Sequence, residues 1–186
     1  TRIIAQFGEE AVAATAAGQR IEHFVALVPI AVGTVLLPIV GQNWGAGRVD
    51  RVREAWIKTG VFGIAYGLTV ALLAWPLGRL VAGGFSSDPR VVGLIAFYLR
   101  IMLLGASLLH LSVQTGMAFN AVQSPLRAAA LTASRLVVFI LPLAWIGSLL
   151  GGASGTYVGF SLGRLLSGLT AGWWFWHFLK RRRAQI

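Results

Sequence analysis

The stretch PIVGQNWGAG, residues 38–47, closes an apolar run that starts near residue 21 and leads into the charged segment RVREA at residues 51–55. An apolar run of about 20 residues can cross the hydrocarbon core of a bilayer as a helix. The glycine-rich end has the composition of a turn. The stretch therefore predicts a membrane-spanning helix that ends in a polar loop.

The same pattern recurs along the whole chain, which is 56% hydrophobic and only 12% charged. A soluble domain of this length keeps much of its surface polar, so water is not the main solvent of this chain. We predict an all-α, polytopic transmembrane helical bundle that forms a single domain over residues 1–186. The five predicted spans are residues 21–42, 59–82, 91–118, 128–150 and 155–179.

The net charge of +10 comes from basic residues that collect at the ends of the apolar runs. Nine of them, in residues 48–58, at 127 and in residues 180–183, fall on one side, and four fall on the other. Basic residues favour the cytoplasmic side of a membrane. We therefore expect a multi-pass protein of the cell (inner) membrane with a cytoplasmic C-terminus, a lipid bilayer as its partner, and no nucleic-acid partner.

An odd number of spans then places the amino end outside, where the chain opens with Thr1 and lacks a signal peptide. Such a start is awkward to insert unaided. We expect that a preceding helix is missing from this sequence.

The third span carries a polar stripe. Arg100, Ser107, His110, Gln114 and Met117 fall within about 100° of one another on a helix of 3.6 residues per turn. Ionisable groups inside a membrane face protein or a water-filled cavity. We predict that these residues line a substrate or cation pathway; the alternative is a seam of hydrogen bonds between helices.

Glu22 and His23 are the second candidate pair, since Glu22 is the one acid that falls within a predicted span. Glu22 could carry a proton, or it could pair with Arg20 at the outer interface. On the last span, Gly155, Gly159 and Gly163 recur every four residues, which is typical of a face that packs against another helix.

Enzyme chemistry is not expected. Gly152 to Gly155 spell the G-x-S-G of a rhomboid serine protease, but His177 lies 23 residues after Ser154, about 34 Å away along one helix. The sequence has no G-x-x-x-x-G-K-[ST] loop, no H-E-x-x-H and no cysteine. We therefore predict no catalytic residue, no metal site and no cofactor.

The loop motif formed by Gly41, Gln42, Asn43, Gly45, Ala46 and Gly47 resembles a signature of the multidrug and toxic compound extrusion (MATE) family. Further similarities lie in residues 7–14 (FGEEAVAA), 98–101 (YLRI) and 142–144 (PLA). The resemblance implies part of one six-helix bundle, helices eight to twelve of a twelve-helix antiporter, without the N-terminal half and the first helix of the bundle. It also implies a cleft that exports small amphipathic or cationic drugs in exchange for H⁺ or Na⁺.

The coupling ion is left open, because sodium-coupled members of that family carry acids on the seventh and tenth helices. The third span, the counterpart of the tenth helix, has neither Asp nor Glu, and His110 and Gln114 could stand there instead. Two alternatives are a related flippase for lipid-linked sugars, with Arg100, Arg135 and Arg164 holding the pyrophosphate, and a half-bundle without transport function.

Overall fold

The computed structural model describes residues 2–183, and no strand occurs in that range, as expected of the all-α class. Short turns join long helices. The elements are α1 Arg2–Ala5, α2 Glu9–Gly45, α3 Val49–Gly83, α4 Pro89–Ala121, α5 Pro125–Ser134, a π-helical segment Arg135–Ile140, and α6 Leu141–Arg183.

Four helices in the described range are long and apolar enough to cross a bilayer, whereas five spans were predicted. The difference lies in the C-terminal part, where Pro125–Arg182 counts as one such helix. Its backbone leaves the helical region at Gly151 and Gly152, and Gly152 has a left-handed φ of 58°. Glycine reaches this conformation easily because it has no Cβ. Because no loop separates the two parts, they form one continuous helical element.

The two arms on either side of Gly151 and Gly152 nevertheless pack against each other. A Cβ added to a glycine on the second arm would collide with the backbone of the first arm. The close pairs are Gly155 with Gly147, Gly159 with Leu143, and Gly163 with Ile140. One residue number rises while the other falls, so the arms are antiparallel. The four-residue glycine repeat is thus a helix-packing face, as its spacing predicts.

The helices extend beyond the predicted spans, chiefly at their amino ends. α2 begins at Glu9 rather than near residue 21, and α3 begins at Val49 rather than near residue 59. Apolar runs mark the thickness of the bilayer, whereas alanine and glutamate continue a helix into water. The longer helix therefore places Glu22 well away from the start of α2.

The motif loop is also more helical than expected. Gly41, Gln42, Asn43 and Gly45 belong to the last turns of α2, and Ala46 and Gly47 form the turn that follows. Gly47 has a φ of 69°, and the Asn43 carbonyl accepts a hydrogen bond from the Arg48 amide. The motif therefore ends one helix and redirects the chain into the next.

α4 is the central helix, and α2, α3 and α6 pack around it. Small residues allow these close approaches: a Cβ on Gly67 would lie 2.5 Å from the Cα of Ser107, and one on Gly168 would collide with the Leu108 carbonyl. These contacts fix the rotation of α3 and α6 against α4. They also decide which polar side chains of α4 meet their neighbours.

Two apolar clusters hold the bundle together, one toward each end. Tyr98 and Tyr157 belong to the first, and Trp56, Phe119 and Phe175 belong to the second. Between these clusters the helices carry a set of buried or half-buried polar side chains. Its members are Glu22, Ser107, His110, Gln114, Ser161 and Arg164. This polar layer contains the candidate site.

At the end of the bundle that carries the motif loop, the first turns of α3 are charged and exposed. Lys58 Nζ donates a 2.8 Å hydrogen bond to Glu54, and Arg51 lies 3.9 Å from the same carboxylate. The Lys58 ammonium holds the pKa of Glu54 below its usual range. Such exposed pairs add little stability.

Candidate functional site

A buried ion pair lies in the polar layer between α2 and α6. Arg164 Nη1 donates to Glu22 Oε1 at 2.5 Å, and both side chains are 15% exposed. Tyr98 Oη donates to the other carboxylate oxygen at 2.8 Å. Arg164 Nη1 also lies 3.3 Å from the Met102 carbonyl. Three helices thus converge on one carboxylate.

The position of Glu22 differs from the interfacial alternative considered from the sequence. Glu22 lies 13 residues after the first residue of α2, about 20 Å along the helix axis. Its neighbours on α4, Tyr98 and Met102, lie inside the third apolar run. Its partner is Arg164, whereas the interfacial alternative had paired it with Arg20. Glu22 therefore lies among residues of the predicted spans, where an acid is rare and usually functional.

A cavity of about 440 Å³ opens beside this pair. His23 and Gln19 of α2 line it together with Glu22, and His110 of α4 and Arg164 complete its polar part. The remaining lining is aliphatic. The structure thus brings three predicted residues, Glu22, His23 and His110, to one cavity. A proton acceptor, an imidazole and an apolar wall together suit an amphipathic ligand or a proton path.

Ser107 is buried where α4 packs against α3. It is 1% exposed, its Oγ donates to the Leu104 carbonyl at 2.7 Å, and its Cα faces Gly67. Its hydrogen bond stays within α4. Ser107 therefore contributes to the close packing of α4 on α3 and, within residues 2–183, makes no hydrogen bond between helices.

Gln114 is 2% exposed, and neither atom of its amide has a hydrogen-bond partner in the described part of the chain. It sits between α2 and α3, close to Gly33 and Gly63, with Met117 beside Gly33. Leaving a buried polar group unpaired costs about 1 to 3 kcal/mol. A residue kept at such a cost is a candidate for binding a ligand that supplies the missing partner.

Arg100 points away from the ion pair and toward α3. Its Nη2 donates to the Trp75 carbonyl at 3.0 Å, and its guanidinium lies 5.7 Å from the centre of the Trp75 ring. Arg135, the first residue of the π-helical segment, lines a second cavity of about 620 Å³. The three arginines considered for a pyrophosphate site are therefore held by three different surroundings.

Sequence reasoning missed two tyrosines. Tyr98 and Tyr157 are both 1% exposed, and their rings meet edge to face with centroids 5.0 Å apart. Tyr157 Oη lies 2.7 Å from Thr15 Oγ1, while Tyr98 holds Glu22. Gly18 gives Tyr98 its space, because a Cβ at this position would lie only 2.3 Å from Cδ1 of the Tyr98 ring. A glycine one turn before an intramembrane acid was the available signal.

A polytopic bundle with a buried charge pair beside an open polar cavity is the architecture of a membrane transporter. Among residues 2–183, no three His, Asp or Glu side chains come together in a metal-binding group.

Comparison with known proteins agrees with the class of membrane transporters. The model of the MatE family matches residues 1–146 of the chain.

The FAD transporter of Shewanella oneidensis is 30% identical to the chain over 171 residues, which make up 90% of the chain and 37% of that transporter. The probable multidrug resistance protein NorM of Bradyrhizobium diazoefficiens is 30% identical over 146 residues, 74% of the chain and 31% of that protein. The crystal structure of the Vibrio cholerae MATE transporter VcmN in its bent form has a TM-score of 0.93 at 26% identity, covering 98% of the chain and 42% of that structure.

The chain belongs to the MatE family, and its relatives in this family are transporters and not enzymes. This confirms the family resemblance drawn from the loop motif. The chain spans between 31 and 42% of the length of these relatives.

Proposed function

We propose that the chain forms part of a secondary transporter that exports a small amphipathic or cationic substrate in exchange for H⁺ or Na⁺. The observation that carries the proposal is the Glu22 carboxylate, buried in the polar layer beside a cavity and held by Arg164 and Tyr98. An ion gradient needs a group inside the membrane that gains and loses a cation, and Glu22 is the acid in that position.

The coupling would work through the ion pair. A proton or sodium ion on Glu22 cancels the attraction that holds Arg164 on α6 to α2. The two helices then have different preferred arrangements with and without the cation. A difference of this kind lets ion binding shift a two-state equilibrium between access from one side and access from the other.

The topology proposed is five crossings with a cytoplasmic C-terminus in the cell (inner) membrane. The antiparallel arms that meet at Gly151 and Gly152 support it, since each arm then crosses once. The aromatic and basic end of α6 also supports it, because Trp173, Trp176 and Lys180 suit the inner interface. The proposal places the chain in the C-terminal bundle, helices eight to twelve, with an N-terminal half as its partner.

The names of two relatives, an FAD transporter and a probable multidrug resistance protein, support a small organic substrate. The flippase alternative has less support. Arg100 is engaged by Trp75 and Arg164 by Glu22, so these guanidiniums do not form one pyrophosphate site. The half-bundle without transport remains the hypothesis that the following experiment tests.

The test measures efflux of a fluorescent organic cation from cells that express the encoding gene. It compares the Glu22→Gln variant with the wild type. A glutamine keeps one of the two acceptor oxygens, so it can accept a hydrogen bond from Arg164 or from Tyr98 but does not reproduce both contacts, and it binds no proton. We expect gradient-driven efflux to fall about tenfold or more, with unchanged protein in the membrane.

Glu10→Gln is the matched control, because Glu10 is an exposed acid on the same helix. It should keep wild-type efflux. The proposal is wrong if Glu22→Gln exports the cation at the wild-type rate with the wild-type dependence on pH and sodium. Absence of efflux in the wild type as well would favour the half-bundle.

A further inference from the structure

The cavity lined by Arg135 shares Val113 with the cavity beside the Glu22 pair but has a different chemistry. It measures about 620 Å³ between α4 and α5, and it is open on one side. Ser112, Asn120, Thr132 and Arg135 supply its polar atoms, and no acidic residue lines it. From residue 89 to the end of the sequence there is no Asp or Glu at all. The walls are therefore positive and rich in donors.

Arg135 is half-buried, and no hydrogen bond or ion pair joins its guanidinium to another residue in the described range. The charge that acts on it is that of Arg164, which is also positive. Glu22 neutralises Arg164 through their ion pair, and nothing comparable neutralises Arg135. An unpaired guanidinium beside a cavity within a membrane bundle calls for an anion.

Two further observations point to the same cavity. Ser112 is 1% exposed, and its Oγ has no hydrogen-bond partner among the described residues. Arg135 is the first residue of the π-helical segment Arg135–Ile140, and such segments are rare and are frequent at functional sites. The Ser112 hydroxyl and the Arg135 guanidinium are the two donors that phosphate oxygens would accept from.

We infer that this cavity is an anion subsite, in which Arg135 and Ser112 bind the phosphate group of an amphipathic organic molecule. The inference rests on the proposed transport function, because it gives the substrate of the proposed transporter a phosphate group and a place where that group binds. Arg135 binds the phosphate as a fork of donors, which a lysine reproduces in charge but not in geometry. Apolar atoms of Met117 and Ala129 offer a surface for the rest of the molecule.

Gly116 provides a way to block the cavity without disturbing the fold. It lines the cavity, and a Cβ added to it would meet nothing within 4 Å. Gly116→Leu therefore places a side chain into the open space and also favours the helix. The Cβ of this variant makes no clash with a neighbouring helix.

The experiment measures binding of flavin mononucleotide and of riboflavin to the purified chain in zwitterionic detergent, by quenching of flavin fluorescence. The two probes share a ring system and differ by one phosphate. We expect flavin mononucleotide to bind about tenfold more tightly, since one charge-assisted pair is involved. Arg135→Gln should remove that preference, Arg135→Lys should keep part of it, and Gly116→Leu should weaken both probes.

Arg79→Gln is the matched control, because Arg79 is an exposed arginine of α3 outside this cavity, and it should leave the preference unchanged. Competition by phosphatidylglycerol but not by phosphatidylcholine would identify a lipid phosphate as a ligand of the same subsite. Equal binding of the two probes to the wild type, or an unchanged preference in Arg135→Gln, would overturn the inference. Binding in detergent needs no ion gradient, so it can succeed or fail independently of the efflux test on Glu22.

Discussion

Removal of either partner of the Glu22–Arg164 pair should cost more than removal of both. Each side chain is 15% exposed, so the charge left behind by a single substitution stays largely cut off from water. We consider Glu22→Leu, Arg164→Leu and the double variant. Leucine is apolar and of moderate size, so it removes the charge without adding a new polar group.

The magnitudes follow from the partners of each group. Breaking a buried pair by removing one member costs about 3 to 5 kcal/mol, whereas replacing both members by apolar residues is close to neutral. The double variant still leaves the Tyr98 hydroxyl without its acceptor, which costs about 1 to 3 kcal/mol. The loss of unfolding free energy in the double variant should therefore be smaller than the sum of the losses in Arg164→Leu and Glu22→Leu. The difference, the coupling free energy, should be at least about 2 kcal/mol.

The assay is reversible unfolding in mixed detergent micelles, followed by tryptophan fluorescence and circular dichroism, for the four proteins of the cycle. A second cycle of Glu22→Leu with Arg100→Leu is the control, because Arg100 contacts the Trp75 carbonyl and not Glu22. The control pair should be additive within about 0.5 kcal/mol. If the Glu22–Arg164 cycle is equally additive, the pair does not hold α2 to α6, and the coupling step proposed for transport loses its physical basis.

Three further predictions concern α4 and its neighbours. Gln114→Leu should raise the free energy of unfolding by about 1 kcal/mol, because it removes two unpaired buried polar atoms, and it should lower efflux as a loss of substrate contact; stability that falls would show that the amide has a structural partner. His110→Leu should also lower efflux with normal membrane insertion, and unchanged efflux in both variants would assign the stripe to packing. Gly67→Val should destabilise the bundle by about 3 kcal/mol in the unfolding assay, since a Cβ there lies 2.5 Å from the backbone of α4, and a stable variant would mean that α3 can move aside at little cost.

Hydropathy and turn composition were sufficient to predict the helical class and the membrane as solvent. The apolar run at residues 21–42 lies inside α2, which ends at Gly45, three residues later than expected, and only Ala46 and Gly47 of the motif form the turn that follows. The four-residue glycine repeat predicted the face on which the arms of the long C-terminal element meet. The number of spans was harder to predict, because Gly151 and Gly152 interrupt the helix without a loop between its arms.

The sequence by itself determined the solvent and the packing faces of this protein, because apolarity and small side chains act locally, over one helix or one turn. Only the tertiary structure decided which polar groups meet. Glu22 lies 142 residues before Arg164 and 76 before Tyr98, and their contact depends on how far each helix is rotated and shifted against α4. That rotation is fixed by close approaches such as Gly67 on Ser107, so partners in the polar layer follow from the packing of all the helices together.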